Sequence, residues 1–177
     1  PLVAKRPHVI HCHDFMALKS SLGIYPENPT SYTGRLYQKF IQQGFEKGKN
    51  FISISNRTRD DLHKYSDIDA YQSEVVYNGL NYPYKKQERA EALKNIISAG
   101  VLTGDSGCLL HVGAGQWYKN TLGIINIYDE YCKKIKNAKP LILVSPEPSG
   151  HLLAAVNKLP ENASVSFVQG IDVNVLE

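Results

Sequence analysis

Three short apolar runs, at residues 108–112, 140–144 and 165–168, are separated by stretches with helical spacing at 120–136 and 151–158. Strands separated by helices of this length predict parallel βαβ units, and so an α/β fold with parallel sheets flanked by helices. The first half keeps the same rhythm. A β-type run at 7–14 precedes a short helix at 15–22, and a loop holding Pro26 and Pro29 leads to 33–47, where Leu36, Phe40, Ile41 and Phe45 recur at near-helical spacing. That spacing predicts an amphipathic helix with Arg35, Lys39 and Lys47 on its wet face. A strand at 51–55, a helix capped by Ser55 or Asn56 and running through Leu62, and a strand at 73–77 complete this part.

Asn78-Gly79 then makes a turn, since both residues tolerate positive φ. Asn81-Tyr82-Pro83-Tyr84-Lys85-Lys86 is the sharpest composition shift in the chain and sets a domain boundary: residues 1–80 form one part, 81–87 a linker and 88–177 a second part. The second part opens with a helix at 88–99, whose apolar side is Ala92, Leu93, Ile96 and Ile97 and which Gly100 stops. The chain begins at Pro1 and stops at Glu177, soon after 165–168, which reads as a buried strand; both ends look cut from something longer.

The stretch Leu109-Leu110-His111-Val112-Gly113-Ala114-Gly115-Gln116-Trp117-Tyr118-Lys119-Asn120 reads as strand, tight loop and helix start. In an open α/β sheet such a loop lies at the carboxyl end of a strand, where backbone N–H groups at a helix N-terminus can approach a phosphate. Lys119 is the cation that would complete a diphosphate site there, with Gly113, Gly115 and Asn120 around it. The third glycine of a dinucleotide fingerprint is missing, because Gln116, Trp117 and Tyr118 follow Gly115, so a Rossmann dehydrogenase is not expected. The plainer reading is that the glycines only shape a βα turn and Trp117 anchors the core. At the other end of the chain, strand alternation puts His11 and His13 on one face and Cys12 on the other. His11 reads as a packed or capping residue. His13-Asp14 falls at the strand's carboxyl end, where α/β sheets expose functional groups, and histidine there could orient or polarise a hydroxyl. Two histidines and a carboxylate are metal-ligand types, but the third would adjoin the second and no further Cys/His spacing supports a site, so no metal is expected.

Hydrophobic residues at 42% and charged residues at 21% are ordinary for a globular protein. The net charge is +3, and Lys133, Lys134, Lys136 and Lys139 stand at a predicted helix end, where cations suit the macrodipole. That cluster reads as a solvated helix end and no nucleic-acid partner is expected; a peripheral contact with anionic lipid is left open. Cys12, Cys108 and Cys132 are too few and scattered for a disulfide framework, which favours a reducing cytoplasm, at most at the membrane surface. Asn56-Arg57-Thr58 and Asn162-Ala163-Ser164 fit the glycosylation pattern, but the compartment argues against its use. No signal peptide is visible, and no apolar run approaches the roughly 20 residues of a membrane helix.

His111-Val112-Gly113 followed by Gln116-Trp117-Tyr118-Lys119-Asn120 resembles the opening of the C-terminal domain in family 4 (group 1) glycosyltransferases, retaining enzymes of GT-B fold that use nucleotide-sugars. Three further stretches fall in the order that family requires. His11-Cys12-His13-Asp14, with the residues through Gly23, resembles its N-domain histidine strand; Phe51-Ile52-Ser53-Ile54-Ser55 with Thr58 and Leu62 resembles its last N-domain strand and helix; Val75-Val76-Tyr77-Asn78-Gly79-Leu80-Asn81 resembles the strand and turn before the interdomain linker.

The resemblance implies parts of two Rossmann-like domains, a nucleotide-sugar donor, a saccharide, lipid or small-molecule acceptor, and no cofactor or metal. It implies that His13 works near the sugar, that Lys119 helps neutralise the donor diphosphate, and that the edge carrying Ser145-Pro146-Glu147-Pro148-Ser149-Gly150 receives the nucleotide, with Glu147 placed to touch it. By themselves the two prolines there read as a rigid turn. The family's arginine after the first C-domain glycine is replaced by Ala114-Gly115-Gln116, and its glycine-rich N-domain loop and later pair of glutamates are not in the chain, so the chain alone is expected to be inactive. The alternatives are a nucleotide-sugar epimerase of similar build and a non-catalytic nucleotide-binding or interaction module.

Overall fold

The computed structural model describes residues 6–80, 82–98, 100, 107–113 and 115–171. The chain is α/β and divides into two compact units, residues 1–82 and 83–177. Asn81, Ala99 and Ala114, and the termini at Pro1 and Glu177, lie outside the described residues.

In the first unit β1 (Ile10–Cys12), β2 (Asn50–Ser53) and β3 (Gln72–Val75) form a parallel sheet in the order β1-β2-β3, with Ile10 opposite Phe51 and Phe51 opposite Ser73. Helices α1 (Met16–Ser21), α2 (Tyr32–Glu46) and α3 (Asn56–Tyr65) connect the strands. Ser31 caps α2 by accepting from the Gly34 N–H, and Ser55 caps α3 by accepting from the Thr58 N–H, so each helix begins where a hydroxyl takes up an orphan donor. Cys12, Phe15, Leu18, Phe51 and Leu62 form the core, with Phe45 packed on it. The amphipathic helix expected at 33–47 is present, but its apolar residues divide: Ile41 and Phe45 are half-buried, whereas Leu36 and Phe40 are exposed.

In the second unit β4 (Leu109–Val112), β5 (Leu141–Val144) and β6 (Val165–Val168) again form a parallel sheet, in the order β4-β5-β6. Its helices are α4 (Arg89–Ser98), α5 (Thr121–Lys134) and α6 (Gly150–Val156). The central strand β5 is buried along Leu141, Ile142 and Leu143, as a continuous apolar run in a parallel sheet should be. Leu141 and Leu143 pack with Ile125, Tyr128 and Cys132 of α5. The strand expected to be buried at 165–168 is half-buried throughout, and Leu93 and Ile97 on the apolar side expected for α4 are exposed. Among the described residues no helix is long and apolar enough to cross a membrane.

Candidate functional site

The described polar features of interest in the second unit gather at the carboxyl ends of β4 and β5. Gly113 follows β4 directly, and its N–H donates to the Val144 carbonyl at 2.9 Å, extending the ladder by one residue. That amide is committed to the sheet. A Cβ at Gly113 would lie 3.1 Å from His111 Nε2 and 3.3 Å from Cβ and Cγ of Lys119, so glycine here lets the stem of Lys119 cross close over the strand end. Gly115 has φ of +77°, a left-handed conformation that turns the chain toward Trp117–Lys119, a single 3₁₀ turn.

Asn120 links that turn to α5. It too is left-handed, with φ of 48°, and its side-chain oxygen accepts from the Gly123 N–H at 3.1 Å. Asparagine tolerates this conformation better than most residues, and its cap starts α5 at Thr121. Lys119 is therefore exposed at the head of a helix of 14 residues, where the macrodipole favours an anion. Its Nζ lies 5.9 Å from the centroid of the Tyr118 ring, and among the described residues it pairs with no carboxylate.

The loop between β5 and α6 closes on the same place. The nearest neighbours of a Cβ at Gly115 would be Cγ and Cδ of Pro146, at 3.8 and 4.0 Å, so the loops after β4 and β5 adjoin as sheet topology predicts. Glu147, next in the chain, is exposed on that edge, and Ser149 caps α6 through the Leu152 N–H. These residues make a polar rim with the exposed Lys119 at its head.

His111 belongs to this rim and was not singled out from the sequence as a site residue. Its Nε2 is buried and has no hydrogen-bond partner among the described residues, although it lies beside Gly113. The signal was a titratable residue in the otherwise apolar run Leu109-Leu110-His111-Val112. A buried ring nitrogen without a partner carries a desolvation cost, which a bound water or ligand atom would relieve.

In the first unit His13 and Asp14 follow β1. The His11 and His13 rings are 4.4 Å apart and inclined at 49°, and both residues are exposed, so of the packed or capping roles expected for His11 the packed one does not hold. Alternation puts the two on one face, and both are exposed there. The His13 carbonyl accepts from Thr58 Oγ1 at 3.1 Å, which ties the strand end to α3 and leaves the imidazole outward. Asp14 Oδ1 accepts from the Met16 N–H at 2.9 Å and so helps to start α1. His13 and Asp14 belong to one unit and Gly113, Gly115, Lys119, Asn120 and Glu147 to the other.

Two other sequence features have structural partners. Lys133 pairs with Asp129 at 2.7 Å and Glu130 at 2.9 Å, and these carboxylates push its pKa up to about 12. Asn162 Nδ2 lies 2.9 Å from the Cys132 carbonyl and 3.0 Å from that of Ile135, so its side chain satisfies the last carbonyls of α5. Among the described residues no group of three or more His, Cys, Asp or Glu side chains could hold a metal ion. Comparison with models of known protein families and with curated proteins found no match for this chain.

Proposed function

We propose that this chain is the central part of a retaining, family 4 glycosyltransferase of GT-B architecture. It would move a sugar from a nucleoside diphosphate sugar to a saccharide, lipid or small-molecule acceptor. The observation that carries this reading is the placement of Lys119, exposed and without a carboxylate partner among the described residues, at the head of α5 beside the left-handed turn at Gly115 and the Pro146 loop. A diphosphate is the ligand that a helix N-terminus plus a flexible ammonium suits best.

In the reaction, the bond between the anomeric carbon and the diphosphate oxygen breaks with its electron pair leaving on the diphosphate. The acceptor hydroxyl oxygen bonds to the anomeric carbon, and its proton passes to the departing diphosphate oxygen. Lys119 offsets the charge that grows on the departing diphosphate, an effect that works best when the cation is in place beforehand. The resemblance gives His13 of the first unit a part in orienting a hydroxyl, and just beyond it Asp14 Oδ1 accepts from the Met16 N–H.

The test is release of nucleoside diphosphate by the full-length protein, with and without acceptor. Acceptor-dependent release supports transfer, and Lys119→Ala should lower it by about 100-fold, the scale of losing one preorganised electrostatic group. Release independent of Lys119 would refute the assignment. A second reading, a non-catalytic nucleotide-binding module, is favoured by one observation: Gln116 stands in the stretch where the resembling family has its arginine. It predicts nucleotide binding with no release.

A further inference from the structure

Helices α5 and α6 pack side by side over Leu141 and Leu143, and since β4, β5 and β6 are parallel the two helices run the same way. Close packing should fill the space between them. A cavity of about 280 Å³ remains there instead, bordered on the α5 side by Leu122, Ile125, Asn126 and Asp129, which recur at helical spacing. On the α6 side its wall includes Ala154 and Ala155, whose single methyl groups leave the gap open. Ile125 is buried, and with half-buried Leu122 and Leu159 it gives the cavity an apolar surface.

The polar groups around this surface constrain the occupant. Asp129 is matched by Lys133 at 2.7 Å, so its charge is already offset. Lys158, in the turn that ends α6, is exposed and pairs with no carboxylate among the described residues. Asn126 and His151 are exposed too, and their side chains hydrogen-bond to no described residue. The cavity thus joins an apolar surface to one uncompensated cation, with an amide and an imidazole that can each donate or accept. A small anion with an apolar body satisfies all of these, and a volume at the lower end of small-molecule sites suits a body of about one ring. His151 stands where the helices begin and Lys158 at the other end, a span of about 10 Å for seven helical residues, so a carboxylate on Lys158 leaves the far end of the molecule near His151.

We propose that the groove between α5 and α6 is a binding site for a small amphipathic carboxylate. Lys158 takes the carboxylate, Leu122, Ile125 and Leu159 take the apolar body, and Asn126 and His151 take a hydroxyl at its far end. The site uses none of Gly115, Lys119 or Glu147 and stands if the transferase reading fails.

The test is calorimetric titration of the full-length protein with 3-(4-hydroxyphenyl)propionate and, separately, with the uncharged 4-ethylphenol. The acid should bind with Kd below about 1 mM, and 4-ethylphenol about tenfold more weakly, because it lacks the contact with Lys158. Lys158→Gln should weaken the acid about tenfold and leave 4-ethylphenol unchanged. Ala154→Phe should fill the groove and abolish binding of both. Its far-UV circular dichroism should not change, since Ala154 is exposed, and Lys158→Gln alters only an exposed side chain. No binding of the acid by the unaltered protein, equal binding of acid and phenol, or unchanged affinity for the acid in either variant overturns the proposal. So does self-association that Ala154→Phe abolishes without binding of the acid, which assigns the groove to a second copy.

Discussion

Lys19 shows how much a single residue can owe to partners distant in the chain. It is 6% exposed, its Nζ donates to Asp61 Oδ2 at 3.0 Å, and its ammonium lies 5.3 Å from the Tyr25 ring centroid and 5.6 Å from that of Tyr65. Asp61 in turn lies 3.5 Å from Arg57 Nε, so two cations share one buried carboxylate. Asp61→Ala would leave the Lys19 charge buried and unpaired. We expect a loss of about 3–5 kcal/mol in denaturant unfolding, whereas the paired change Lys19→Met with Asp61→Leu should cost much less. Hydrogen bonding with the Tyr25 side chain, and then with Asp61, holds the Lys19 pKa above the ordinary lysine value. A pKa raised on folding contributes stability fully below the unfolded value of about 10.4 and loses it as pH rises past the folded one, so this contribution fades only in strong alkali. Cys12 follows the same sign by another cause. Burial pushes its thiol up to about 11, so it should resist alkylation at pH 8 in the folded protein and react once denaturant exposes it. Equal labelling rates in the two states would contradict its burial.

Among the elements, α5 is anchored through one buried side chain, Tyr128. Tyr128 is buried, its hydroxyl lies 3.0 Å from the Lys139 carbonyl and 3.1 Å from that of Ser164, and it accepts from the Ser164 N–H. One phenol thus joins the helix to the segments entering β5 and β6. Tyr128→Phe keeps the ring and strands these groups, so thermal or denaturant unfolding should show a loss of about 1–3 kcal/mol. Element type was legible in the sequence because period and length separate strands from helices. The expected and observed elements agree in kind from β1 to β6, with ends that move by up to a few residues, as at β1 and at the last turn of α3, while Ser55 caps α3 as expected. Which side of an element would be covered was less legible. On α2, Leu36, Phe40, Ile41 and Phe45 span about 180° at 100° per residue, wider than one packing face, so spacing alone could not say which half was buried. The same holds for His11 and His13: alternation gives a shared face but not what lies over it. The Lys19–Asp61 and Tyr128–Ser164 contacts, at separations of 42 and 36 residues, leave no local pattern to read.

At the scale of the whole molecule, two parallel sheets present different chemistry at their carboxyl ends. The first unit offers the exposed His11 and His13 pair and Asp14. The second offers a cation at a helix head, a left-handed glycine and an adjoining proline loop. The loops were legible because glycines, prolines and a strand-to-helix switch mark them in the sequence. The assignments of individual groups were less so: the Gly113 amide is taken by Val144, the Asn120 oxygen by Gly123, and the buried Nε2 of His111 faces the place where Gly113 has no side chain. The proposed diphosphate site therefore rests on Lys119, the helix head and the turn around Gly115. Titration of a nucleoside diphosphate into the full-length protein and into Lys119→Ala, followed by calorimetry, tests that claim most directly. Loss of one charge-assisted phosphate contact, worth about 1.5–3 kcal/mol, predicts Kd weakened roughly 10- to 100-fold in the variant. An equal Kd in the two proteins would contradict the site.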